Sequence, residues 1–163
     1  MYCRRRVSGG NKVPAETIVI AADHGGVELK ALLVADLRVR GFDVLDLGTD
    51  STASVDYPDY AQALATAIVD GRARRGVLIC GSGIGMSIAA NRFPEIRAAV
   101  VHDHLSARLS RQHNDANVLC MGGRLIGPEV ARDCLGVFLD TAFEGGRHAR
   151  RIAKMSPPVS TEA

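Results

Sequence analysis

Short apolar runs alternate with stretches of helical period along most of this chain. Thr17 to Ala22 (TIVIAA) is rich in β-branched residues and stops at Asp23-His24-Gly25-Gly26, the pattern of a buried strand. Leu29, Leu32, Leu33 and Leu37 then share one helical face, and Gly41 is placed to end that helix. Phe42 to Leu47 predicts a second strand, closed by Gly48-Thr49-Asp50. Asp56-Tyr57-Pro58 starts a helix, since proline is tolerated in a first turn. Ala61, Leu64, Ala65 and Ile68 carry its apolar face towards Gly71. Val77 to Cys80 predicts a third strand, followed by Gly81-Ser82-Gly83-Ile84-Gly85 and a helix through Asn91. Ala98 to Val101 and Val118 to Met121 predict two more strands, with a helix over Leu105 to His113 between them. A long helix from Pro128 to Thr141 and a shorter one from Arg147 to Lys154 complete the series.

Strands separated by helices imply βαβ units, hence an α/β fold. The expected architecture is three-layered and Rossmann-like, a five-stranded parallel sheet with helices on both faces. The strands lack clean polar alternation, as they must when both faces are buried. Residues 1–16 read as a flexible leader, 17–155 as a single domain and 156–163 as a loose tail.

At 163 residues the chain suits one hydrophobic core, and 47% hydrophobic with 23% charged residues is ordinary globular composition. A formal charge of +2 is too small to predict a nucleic-acid partner. The densest basic run, Arg4-Arg5-Arg6, has no apolar stretch behind it, so it is not a secretory signal. No apolar run approaches the roughly 20 residues that span a bilayer, so no membrane partner is expected. The four cysteines, Cys3, Cys80, Cys120 and Cys134, form no C-x-x-C pair. Three of them lie in apolar stretches, which fits reduced thiols in a cytoplasm.

Ligands of parallel α/β sheets bind beyond the carboxyl ends of the strands, and polar chemistry gathers at those ends here. Gly81-Ser82-Gly83-Ile84-Gly85 permits a tight strand-to-helix turn whose amides could converge on an anion. The same turn could equally be structural. It lacks the third glycine of a dinucleotide fingerprint, where Met86 stands, and the lysine of a P-loop. Cys80 could be a small core residue or a reactive thiol beside a helix start. Cys120 and Cys134 read as core. Asp23-His24 is either a helix cap with a surface histidine or a carboxylate and imidazole able to move protons. His102-Asp103-His104 offers only two candidate metal ligands of the right type, too few to predict a site. Arg147 and Arg151, at i and i+4, are either a solvated basic face or a guanidinium pair for a dianion.

Taken together, these residues resemble the ribose 5-phosphate isomerase B / galactose 6-phosphate isomerase family. The similarity runs from about Ile18 to Lys154 and is carried by AADHGG (21–26), DLGTD (46–50), VDYPDYA (55–61), GVLICGSGIGMSIAANR (76–92), LSRQHNDANVL (109–119), GGR (122–124) and FEGGRHARR (143–151). The resemblance implies an aldose–ketose isomerase that works through an enediolate without metal or organic cofactor. Cys80 matches the family's general base. Some members place a glutamate at the position held here by Met86, so this is the cysteine type. Ser82 and the loop through Gly81, Gly83, Ile84 and Gly85 match the anion hole. Asp23 and His113 match residues that open the furanose ring, and Asn114 and Tyr57 match those lining the sugar. His24, Arg124, Arg147 and Arg151 match the phosphate site. The resemblance also implies a sugar phosphate substrate, with ribose 5-phosphate first, and a homo-oligomer, dimer or tetramer, with shared active sites. Allose 6-phosphate or galactose 6-phosphate would be the six-carbon alternatives. A non-catalytic phospholigand-binding module is the reading from another class.

Overall fold

The structure, a computed structural model, describes residues 15–155. Cys3, most of the leader and the tail expected at 156–163 lie outside the described residues. The elements follow the order β1 (Thr17–Ala22), α1 (Val27–Val39), β2 (Asp43–Asp46), α2 (Tyr57–Val69), β3 (Arg75–Cys80) and α3 (Ile84–Ala90). They continue with β4 (Ala98–Val100), α4 (His104–Asn114), β5 (Val118–Gly122), α5 (Pro128–Asp140) and α6 (Arg147–Ala153). Every element expected from the hydrophobic pattern is present. The edge strand β2 is shorter than its apolar run, because Phe42 and Leu47 fall outside the paired register.

All five strands are parallel and ordered β2-β1-β3-β5-β4. Successive strand residues point to opposite faces, and this splits the core in two. Ile18, Ile20, Val77, Ile79, Leu119 and Met121 face one layer with α1 and α5. Val19, Ala21, Leu78, Cys80, Val118 and Cys120 face the other, with α2 and α3. Both layers are built mainly of buried aliphatic side chains, and each fully covered Val, Leu or Ile contributes about 1.5–3 kcal/mol. Cys120 and Cys134 are packed there as expected; burial pushes the Cys134 thiol up to about 11 and the Cys120 thiol higher still.

One face differs from the expected pattern. Leu32 is only half-buried, while Lys30, a charged residue, is buried on the same helix. Its ammonium lies 2.7 Å from both Asp46, the last residue of β2, and Asp50 in the loop that follows. Burial opposes the charge, but the hydrogen bonds to the two carboxylates outweigh it and raise the pKa of Lys30. The ion pairs tie the β2 loop to α1, and that loop runs on beside β1: Thr49 N–H donates to Ala22 O at 2.7 Å.

Candidate active site

In an open parallel sheet the strand order reverses at one place, and the crevice there takes the ligand. Here β2 lies on one side of β1, while β3, β5 and β4 follow on the other. The carboxyl ends of β1, β3 and β5 are therefore adjacent. They carry Asp23, Cys80 and Arg124. Backbone bonds lock the three ends together: Asp23 N–H donates to Ile79 O (3.1 Å), Gly123 N–H to Cys80 O (2.8 Å) and Arg124 N–H to Gly81 O (3.1 Å).

Asp23, Tyr57, Cys80, Gly81, Ser82, Gly85, Arg124 and Leu125 line one open pocket of about 380 Å³. Cys80 forms its floor, only 5% exposed, and its Sγ accepts the N–H of Gly83 at 3.0 Å. Ser82 Oγ accepts the N–H of Ile84 at 3.3 Å. Gly83 starts α3 with φ 78°, and a side chain there would press on the Met121 backbone at 2.9 Å. Gly85 has a different reason to be bare: a Cβ would lie 2.8 Å from the Tyr57 ring. That contact sets the aromatic wall of the pocket. Asp23 is buried, and its Oδ1 accepts the N–H of Gly25 at 2.8 Å. Arg124 is exposed, with its guanidinium above Gly81.

The remaining candidates lie elsewhere. His24 borders a neighbouring cleft with Thr52 and Gly123, and its Nδ1 accepts the N–H of Val55 at 3.3 Å. Ile84 turns its side chain to solvent. His113 and Asn114 end α4, just before β5, whose first residue is registered with Gly76 at the opposite end of β3 from Cys80. At about 3.3 Å per strand residue, the length of β3 separates them from the pocket. Arg147 and Arg151 sit on α6, which packs against α4, and both are exposed. The candidates thus fall into two groups at opposite ends of the sheet. His102-Asp103-His104 belongs to neither: Asp103 caps α4, accepting Ser106 N–H at 2.8 Å, and His104 pairs with Asp133 at 3.1 Å.

Two residues were not singled out from the sequence. His148 is buried and stacks on His113, with ring centroids 4.3 Å apart and planes 6° from parallel. Glu144 faces both rings, 3.9 Å from His113 Nε2 and 3.7 Å from His148 Nε2. No helical spacing signals the pair, since Gly145 and Gly146, both with positive φ, keep Glu144 off α6.

Fold and pocket define a doubly wound α/β protein whose sheet crevice offers a thiol, a carboxylate and a guanidinium to a small anionic ligand. The ribose/galactose isomerase family matches residues 18–155, and the chain belongs to that family of sugar isomerases. It is 48% identical over 135 residues to ribose-5-phosphate isomerase B of Escherichia coli, covering 83% of this chain and 91% of that one. It is 44% identical over 140 residues to D-erythrulose-4-phosphate isomerase of Pectobacterium atrosepticum, covering 85% and 92%. A crystallised ribose 5-phosphate isomerase from Thermotoga maritima superposes with a TM-score of 0.85 at 50% identity, over 86% of this chain and 97% of that one. The chain is accordingly an enzyme of the aldose–ketose isomerase class.

Proposed function

We propose that this enzyme interconverts ribose 5-phosphate and ribulose 5-phosphate, with Cys80 as general base. The observation that carries this reading is the position of Cys80 Sγ, on the pocket floor and hydrogen-bonded to the turn that follows it. A donor to sulfur is held more strongly by a thiolate than by a thiol, so this contact supports the anionic base. The thiolate takes the proton from C2 of the open aldose, and the freed pair forms the C1–C2 double bond. The carbonyl pair moves to O1, where Ser82 and amides of the loop through Gly85 stabilise the charge. A proton passes from O2 to O1, and the thiol returns its proton to C1 as the C2 carbonyl forms. Asp23 and His113 open the furanose beforehand, and Tyr57 and Asn114 line the sugar.

His24, Arg124, Arg147 and Arg151 hold the phosphate, whose binding energy positions the reacting carbons. In one chain the two halves of this set are divided by the sheet. The working site is therefore assembled from two copies, one giving Cys80, Asp23 and Tyr57, the other His113, Asn114, Arg147 and Arg151. Exposed Ile84 and Ile88, one turn apart on α3 beside the pocket, offer apolar surface for that contact. The reading calls on no metal and no organic cofactor. Among the described residues no helix is long and apolar enough to cross a membrane.

A second substrate reading rests on the similarity to an enzyme named for a four-carbon sugar phosphate. The chemistry is the same, and only the chain length between carbonyl and phosphate differs. The test is turnover of four-, five- and six-carbon aldose phosphates in deuterated water. Ribose 5-phosphate should give the highest kcat/KM and take up solvent deuterium at C1 or C2. A higher kcat/KM with another sugar would reassign the substrate; deuterium uptake requires the Cys80 thiol to exchange with solvent before it reprotonates the sugar, so near-normal turnover of Cys80→Ser is the result that would remove Cys80 as the base.

A further inference from the structure

His148 lies under His113 as a flat platform, and no role is given to it by the steps above. Its ring is buried, whereas His113 is about 38% exposed and keeps an open face. Burial, followed by the nearby charges of His113 and Arg147, holds the pKa of His148 below the usual histidine range; Glu144 works against this and Arg151 adds to it. The segment holding it is tied to α4 on the same side, because Glu144 N–H donates to Gln112 O at 3.1 Å.

The same three side chains bring two nitrogens and a carboxylate within 4.8 Å, a donor set that a metal could use. Their geometry argues against that use. Imidazole lone pairs lie in the ring plane, so two nearly parallel rings cannot both aim at one ion bound about 2.0–2.1 Å away. Such an ion would stand out of both planes. Glu144 lies 3.9 Å from His113 Nε2 and 3.7 Å from His148 Nε2, beyond hydrogen-bond distance of either ring.

We propose that His148 is a positioning residue for His113: its buried ring fixes the plane of the His113 imidazole that delivers a proton to the sugar's ring oxygen. The inference rests on the reading of His113 as a ring-opening residue. In the step it serves, the O1 proton leaves to the Asp23 carboxylate and its pair forms the C1 carbonyl. The C1–O4 bond breaks with its pair going to O4, and an N–H of the His113 ring protonates O4. A ring free to rotate would present that proton in the right direction only part of the time. Misplacement on the scale of 1 Å can cost about 10²-fold, so loss of the platform alone is expected to cost about tenfold.

Ring opening can be read apart from isomerisation by following exchange between the two ribose 5-phosphate anomers by NMR, in a Cys80→Ala background that cannot enolise. Cys80→Ala protein should accelerate the exchange over buffer. Adding His148→Ala should cut that acceleration about tenfold, and adding His148→Phe should restore most of it, since a flat ring still stacks. Full acceleration with His148→Ala, or Phe no better than Ala, would overturn the positioning role. Adding His113→Ala separates the two ideas: if acceleration then persists, the ring-opening role of His113 itself falls, and the platform with it.

Discussion

Cys80 Sγ receives the N–H of Gly83 at 3.0 Å, so the sulfur is tethered to the glycine whose positive φ starts α3. The thiol and the turn that would stabilise an oxyanion are therefore one rigid unit. A serine at position 80 could accept the same N–H while losing the acidity of sulfur.

Cys80→Ser should consequently fold normally and lose at least ~10²-fold in kcat, because general-base catalysis contributes 10²–10⁴-fold. Turnover of ribose 5-phosphate and the circular dichroism of the variant check the two halves of this expectation. A folded variant with near-normal kcat would return Cys80 to core packing.

Arg151 is exposed on α6, far from Cys80 along the sheet. Loss of one charge-assisted contact to phosphate costs about 1.5–3 kcal/mol, so Arg151→Ala should raise KM by roughly 10- to 100-fold. Cys80→Ala and Arg151→Ala chains, each deficient alone, should regain activity when mixed under conditions of subunit exchange. In a mixed pair, one of the two shared sites receives both wild-type residues. No recovery, with exchange demonstrated by mass, would place both groups in the same half-site.

Lys30 stabilises the fold through two carboxylates that remain partly in water, with Asp46 30% and Asp50 88% exposed. Lys30→Met keeps the volume and removes the charge, and should cost about 1–3 kcal/mol. The folded-state pKa of Lys30 is raised from 10.5. The unfolded chain therefore releases this proton first, and the contribution is complete below pH 10.5 and lost as pH rises through the folded value. The stability difference between wild type and Lys30→Met, from denaturant midpoints, should be flat from neutral pH to about 10 and shrink above it. A difference that grows there would contradict the sign.

Much of the architecture was legible because it is local. The β-branched run at Thr17–Ala22 and the leucine period of α1 each report their own element. So does the joining of Cys80, Ser82 and Gly83 in one strand-to-helix turn, since residues three apart on a turn meet whatever the rest of the chain does. His148 was hidden for the opposite reason. Among Arg147, Arg150 and Arg151 it reads as part of a basic helix, and only the packing of α6 on α4 turns it inward against His113.

The sequence by itself determined the elements, their parallel direction and the rim on which the chemistry stands. Tertiary structure alone decided which strand ends are neighbours. All the central strands are buried on both faces, so their apolar patterns are interchangeable and encode no order. Pairing put β5 between β3 and β4. The return of α4 to the amino end, which puts His113 and Asn114 a sheet's length from Cys80, follows from parallel direction alone, but that one choice carries Arg124 over Gly81 and separates His102-Asp103-His104 from the pocket at the sheet edge. Such separations depend on contacts between distant segments, which no local spacing records.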